Sequence, residues 1–398
     1  MALNIEDPDK YVSKDSYAPF ALGFRPFFLL AGFSAVLLIL LWFLQLTGNV
    51  SVSGYYTPTG WHAHEMLFGY TAAVVAGFLL TAAGNWTGIK MIRGWRLMLL
   101  TVVFLAGRFA PFIPGIPHWL IASVDIAFLP LVALILAIPV IRIKQWANVV
   151  FVPLLLTMAA ANTAVHLSAL KVIDVNIVMG SRAMVYLVIL LIVVMGGRVI
   201  PFFTERGVAG VVTKKWNVIE YLSAISVLLA AIADVFFGWS VVTGYLAFFA
   251  AIINLVRLYG WYSNLIWYVP LVWVLQVAYG WIIVGFILKG LMIFDISQSA
   301  FSYHAFTVGG IALMTLGMMA RVSIGHTGRE MQIGSWMVLS FIILNVATIV
   351  RVIIPMFIHN SYLQLIQVAS GLWIVAFTIF VIAYTPMLLK ARIDGREG

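Results

Sequence analysis

Along its length the chain alternates long apolar runs with short polar or basic joints. A helix that crosses a membrane takes about 20 mostly apolar residues. Twelve stretches meet that length: 27–48, 64–83, 96–113, 119–140, 148–169, 181–203, 218–237, 241–259, 265–288, 304–322, 334–355 and 363–387. The joints around the seventh to ninth stretches, FFGWS and RLYGWYSN, are short and set those boundaries least sharply. The pattern predicts an all-α polytopic membrane protein. It divides into a cytoplasmic N-terminal segment 1–26, a single twelve-helix transmembrane domain 27–387 and a cytoplasmic tail 388–398.

Composition supports this and excludes alternatives. Of 398 residues, 63% are apolar and 9% charged. A soluble domain has roughly 25% charged and 45–50% apolar residues. A soluble enzyme, a disordered chain and a nucleic-acid binder are therefore excluded, and membrane lipid is the expected surroundings. The first twenty residues are polar, with Asp7, Asp9, Lys10 and Lys14, and do not read as a cleavable signal. The net charge of +9 reads as topology. With the N-terminus cytoplasmic, the inside ends carry Lys90, Arg93, Arg96, Arg142, Lys144, Arg206, Lys214, Lys215, Arg329, Lys390, Arg392 and Arg396, while Lys171, Arg182 and Lys289 lie outside. Both termini are then cytoplasmic. There is no cysteine, which excludes thiolate metal sites and covalently attached haem.

Candidate chemistry begins with seven histidines: His62, His64, His118, His166, His304, His326 and His359. In this topology only His326 is at the inner face. His118 and His359, in PGIPHW and FIHNSY, read as loop residues. His62, His64 and His304 open the second and tenth helices in WHAHEML and SYHAFTVGG, where ionisable groups are costly and usually functional. On a helix His62 and Glu65 share a face, whereas His64 points roughly 200° from His62. The two histidines bind one metal only if His62 precedes the helix. Otherwise they serve two sites, one on each face.

The chain also echoes itself. At a shift of 240, His64, Gly69, Ala72, Gly77, Thr87 and Gly88 meet His304, Gly309, Ala312, Gly317, Thr327 and Gly328, six identities in 25 positions. Roughly two are expected in so biased a composition. At a shift of 123, MGGRVIPFFTER overlays MMARVSIGHTGR. Helices 2, 6 and 10 run in the same direction, four apart, which points to three pseudo-repeated four-helix blocks. Haem–copper oxidases have a similar arrangement of twelve helices in three arcs, with axial histidines on the second and tenth. The sixth and seventh helices of this chain carry no histidine, unlike that pattern.

Arg25, Arg108, Arg198, Arg321 and Arg351 stand in apolar surroundings. Arg25 is expected to snorkel to the interface. Acids inside the membrane are few: Glu65, Asp125 and Asp234. Arg108, Arg351 and Arg321 are thus read as cofactor-binding residues, since an unpaired buried guanidinium invites an anion such as a haem propionate. Arg321 also belongs to a polar set at the inner face with Arg198, Arg206, His326 and Arg329.

The segments FRPFFLLAG, WHAHEMLFGYTAAVVAGFLLTAAGNWTG, GRVIPFFTERG and HAFTVGGIALMTLGMMARVSIGHTGR resemble the NnrS family of bacterial membrane proteins. The resemblance runs from Phe24 to the last helix. It implies a bacterial inner-membrane protein that contains haem and copper and acts in the response to nitric oxide. On this reading the chain is a haem b protein that binds or reduces nitric oxide, with an electron donor that the sequence does not identify. His64 and His304, equivalent in the two repeat copies, are expected to face each other and ligate the haem. His62 stands as the alternative ligand, because the helix start is uncertain by more than two residues. If His64 turns to the haem, His62 and Glu65 fall on the other face with His166, forming a copper or proton-delivery site in which Glu65 is catalytic. The rival reading is a secondary transporter of a metal, haem or small anion. A membrane sensor is disfavoured, as no stretch is long enough for a soluble output domain.

Overall fold

In the computed structural model, residues 15–50, 54–173, 177–358 and 360–396 are described. Their regular structure is helical apart from one isolated β-bridge between Tyr17 and Lys390. Twelve helices are long and apolar enough to cross a membrane: α1 Phe24–Leu46, α2 Pro58–Thr87, α3 Trp95–Phe112, α4 His118–Arg142, α5 Trp146–Ala169, α6 Val178–Gly207, α7 Asn217–Phe236, α8 Val241–Trp261, α9 Pro270–Phe294, α10 Ser299–His326, α11 Ser335–Met356 and α12 Tyr362–Leu389.

All twelve expected crossings are present. The main differences are at α2, α9 and α10: α2 and α10 begin at Pro58 and Ser299 rather than at 64 and 304, and α9 spans Pro270–Phe294 rather than 265–288. For α2 the cause is local. Thr57 is extended and its Oγ1 accepts from the Gly60 N–H at 3.2 Å, while Pro58 takes the first helical position, where no N–H is needed. His62 and His64 therefore lie inside the helix. Both α2 and α10 then widen into a π-helical stretch, Glu65–Thr71 and Ala305–Ala312. Each begins one residue after the histidine at the 240-residue offset, His64 or His304. Such stretches are rare and frequent at functional sites.

Four helices form the centre. The most apolar window of α2 and of α10 is 83% buried, that of α9 72% and that of α6 67%, against 33–44% for the other eight. The outer eight present apolar side chains to lipid, as a bundle without a soluble domain must. α9 thus joins the three helices singled out by the sequence echo. Arg25 does not snorkel. It is fully buried, and its Nη1 donates to the carbonyls of Met387 and Leu388 at 3.2 Å each. A cation there satisfies the last carbonyls of α12 and complements its dipole.

Candidate functional site

Because α2 is already helical at His62, the two-residue offset sends His62 and His64 to opposite sides. Each side holds a distinct polar site.

On the first side lies a cavity of about 500 Å³ between α1, α2, α6, α10, α11 and α12. His62 and His304 both line it, together with Arg182 and Arg351. The His62 ring stacks on Trp42, with centroids 4.4 Å apart and planes 16° from parallel. Its Nδ1 is buried and without a partner among the described residues. In His304, Nδ1–H donates to the Ala300 carbonyl at 2.7 Å, so Nε2 carries the lone pair and accepts from Arg351 Nη2 at 3.2 Å. A ring nitrogen fixed on a backbone carbonyl is how metal-ligating histidines are oriented. Arg351 also donates to the Tyr362 hydroxyl at 3.3 Å, and Arg182 lies 5.8 Å over the Tyr303 ring with its buried Nε unpartnered. Trp42, Met66, Val185, Ile311 and Trp373 supply apolar wall. Among the described lining residues none is acidic. A flat apolar group with anionic arms and a metal centre fits these residues: they offer two imidazoles, two guanidinium groups and apolar surface, within the usual size of a cofactor pocket.

On the second side, α2, α3, α4 and α5 enclose a polar cluster. His64 Nδ1–H donates to Glu65 Oε1 at 3.1 Å. His64 Nε2 lies 3.0 Å from both Asn162 Oδ1 and Asp125 Oδ2. His166 Nε2 lies 2.7 Å from the same Asp125 oxygen, and its Nδ1 is 2.9 Å from the Tyr55 hydroxyl. Arg108 ties the two acids together: Nη1 donates to Glu65 Oε1 at 2.8 Å, and Nη2 to Asp125 Oδ1. Gly107 allows this approach of α3 to α4, since a Cβ there would stand 2.7 Å from Asp125 Oδ1 and 3.1 Å from its Cα. Burial pushes the Tyr55 hydroxyl up to about 12 and that of Tyr56 well above the ordinary phenol range. Both are neutral phenols at physiological pH.

Charge arithmetic makes this cluster informative. With neutral imidazoles, Arg108, Glu65 and Asp125 sum to one negative charge. His64 Nε2, His166 Nε2 and an Asp125 oxygen offer ligand atoms that all lie within 4.8 Å of one another, so the group is able to hold a metal ion. A metal cation, or a further proton on His64, offsets the surplus charge. Buried ions need such compensation.

The predicted residues therefore divide differently from the sequence expectation. His62, rather than His64, shares the cavity with His304. Glu65 goes with His64, not with His62, because Arg108 draws its carboxylate to the α3 side. His166 meets Glu65's cluster as expected, but through His64 and Asp125. Arg108 is not an unpaired cation, having two carboxylate partners. Arg351 does line the cavity. Arg321 does not; its guanidinium stacks 3.7 Å over the Phe203 ring. His118 opens α4 with its ring 5.2 Å from that of Tyr55, and His359 lies outside the described residues. Arg182 and Asp125 are the functional candidates that the sequence reading did not assign. Their signal was available: each is a charge at or inside an apolar run.

Comparison with curated proteins gives no match. A family profile described as NnrS protein matches residues 18–392, nearly the whole chain. The chain, a multi-pass protein by its twelve apolar helices, belongs to the NnrS protein family.

Proposed function

We infer that the chain, as a member of this family, is a membrane protein of the nitric oxide response. We propose that it does this work as a haem b protein with nitric oxide as ligand, and that the cavity between α2 and α10 is the haem site. The observation that carries the reading is the pair His62 and His304 on one cavity: one has a buried nitrogen without a partner among the described residues, the other has its Nδ1–H held by Ala300 and its Nε2 on the Arg351 guanidinium that also lines the cavity. His62 and His304 would hold the iron, and Arg182 and Arg351 the propionates. Two guanidinium groups, with no acid among the described lining residues, balance two carboxylates. Bound there, a haem would supply an iron able to carry an electron, and to bind nitric oxide where one of the two imidazoles yields to it. The protein's part is to exclude water, to neutralise the propionates and to set the imidazole orientation.

Copper, the second metal, is assigned in this proposal to His64, His166 and Asp125. Imidazole nitrogen suits copper, and each histidine has its other nitrogen held by an outer partner, Glu65 or Tyr55. Glu65 is then a positioning residue for His64.

The test is optical. Protein purified in detergent should show a Soret band that moves when nitric oxide is added. His62→Ala and His304→Ala should lose or strongly shift that band, while His64→Ala should keep it. A colourless preparation that binds a small anion would replace this reading with the transporter. Equal haem loss in His64→Ala but not in His62→Ala would return the ligand role to His64.

A further inference from the structure

A groove outside both histidine sites runs along the first half of α9. Its volume is about 350 Å³. It is lined by Leu258 of α8, by Tyr262, by Trp267 of the short 3-10 turn Asn264–Tyr268, and by Gln276, Gly280 and Trp281 of α9. Gly280 and Trp281 are half-buried and Tyr262 and Trp267 are exposed, so the groove opens on the lipid side of the bundle. Its size is that of a small-molecule site.

The polar group of its wall is the Gln276 amide, 3% exposed. Nε2 donates to Thr204 Oγ1 at 3.0 Å and to the Trp261 carbonyl at 3.2 Å. The Thr204 hydroxyl proton is already committed to the Ile200 carbonyl at 2.8 Å. Turning the amide over would set its oxygen against two acceptors, so its orientation is fixed. Oε1 is thereby left buried and without a donor among the described residues. A buried acceptor in that state is costly and rare. The acyl chain of a lipid has no donor to offer it, whereas a hydroxyl on an apolar ring does.

The rest of the groove suits a flat ring. Trp281 is held by its Nε1, which donates to Asn345 Oδ1 at 3.0 Å. Its indole lies against Gly309 of α10, where a Cβ would stand 2.5 Å from the Trp281 Cγ. Gly309 belongs to the π-helical stretch whose Val308 and Ile311 line the histidine cavity, so groove and cavity share a wall. At the groove's mouth the Tyr262 hydroxyl accepts from Trp267 Nε1 at 3.2 Å and keeps its own O–H to offer an acceptor.

We propose that this groove binds a lipid-soluble hydroquinone, with one ring hydroxyl donating to Gln276 Oε1, the ring against Trp281 and the apolar tail leaving through the open side into lipid. The binding goes beyond the haem reading and holds whether or not the cavity contains haem.

The experiment is calorimetric titration of the purified protein in detergent with decylubiquinol under argon, and with its dimethyl ether, which keeps the ring and tail but lacks both O–H donors. Wild type is compared with Gln276→Leu, which removes the acceptor, and with Gly280→Phe, which fills the groove and keeps the amide. Saturable binding of the quinol to wild type is expected, with the ether roughly tenfold weaker, the effect of one hydrogen bond. Gln276→Leu should bind quinol and ether alike, and Gly280→Phe neither. If Gln276→Leu does not fold, the ether on wild type and the Gly280→Phe variant still decide. No saturable binding to wild type, an ether as tight as the quinol, or an unchanged affinity in Gly280→Phe overturns the proposal. An ether as tight as the quinol would mark the groove as a seat for lipid tails only. Because the readout is heat of binding, a preparation without a Soret band still gives the answer, and the haem reading stands or falls separately.

Discussion

His62 and His64 differ in role because successive residues of a helix are turned by 100°, so an offset of two cannot share a site once both are helical. What each meets is then decided by partners from other helices. His64 meets Glu65, Asp125 and Asn162, and its cluster is closed by the Arg108 guanidinium bridging both acids. Removing that bridge leaves two buried carboxylates against uncharged surroundings, an effect of about 3–5 kcal/mol for a broken buried pair. Arg108→Met should therefore lower the thermal unfolding midpoint in detergent markedly. An unchanged midpoint would mean the acids are compensated in another way. Glu65→Gln is milder: it keeps size and hydrogen-bonding capacity but no longer holds His64 Nδ1–H with a carboxylate. It should leave haem content unchanged and lower bound copper, read by metal analysis of the same sample. Full copper in that variant would reduce Glu65 to a structural ion-pair partner of Arg108.

At the scale of elements, the twelve helices were legible because each is a long apolar run, a pattern the membrane imposes with little ambiguity. The two-site geometry of WHAHE was legible too, as one of two alternatives, since it depends only on helical angle. The choice between them was not, because the capping residues Thr57 and Pro58 follow a polar stretch, SVSGYY, that hides the true start of α2. Nor could one sequence disclose that Arg108 of α3 would meet Glu65 across 43 residues of chain and bridge it to Asp125 of α4. That contact depends on close packing at Gly107. Gly107→Ala puts a methyl group within 2.7 Å of Asp125 Oδ1. Overpacking of this kind costs about 1–3 kcal/mol. It should weaken the cluster without touching the cavity: copper content falls while the haem spectrum stays as in wild type. Equal loss of both would mean that α3 and α4 support the cavity as well.

The whole molecule carries its orientation in its joints. Backbone bonds from Ala18 to Leu389 and from Ala391 to Ser16, with the Tyr17–Lys390 bridge, hold the described ends together on one face, as an even number of crossings requires. The joints on that face include Lys90, Arg93, Lys144, Lys214, Lys215 and Arg329, and the adjoining tail adds Arg392 and Arg396. The opposite joints, 47–57, 113–117, 170–177, 237–240, 295–298 and 357–361, contain a single basic residue, Lys171. Loops rich in Lys and Arg stay cytoplasmic, and short loops obey this rule best. The face with the chain ends should therefore be cytoplasmic, and the histidine sites, at the starts of α2 and α10, should lie near the outer surface. That position would admit a small uncharged gas directly from the outer leaflet. A fluorescent reporter fused after Gly398 should fold and fluoresce in the cytoplasm, and an alkaline phosphatase inserted at Gly115 should be active outside. If the two reporters give the reverse pattern, the histidine sites face the cytoplasm.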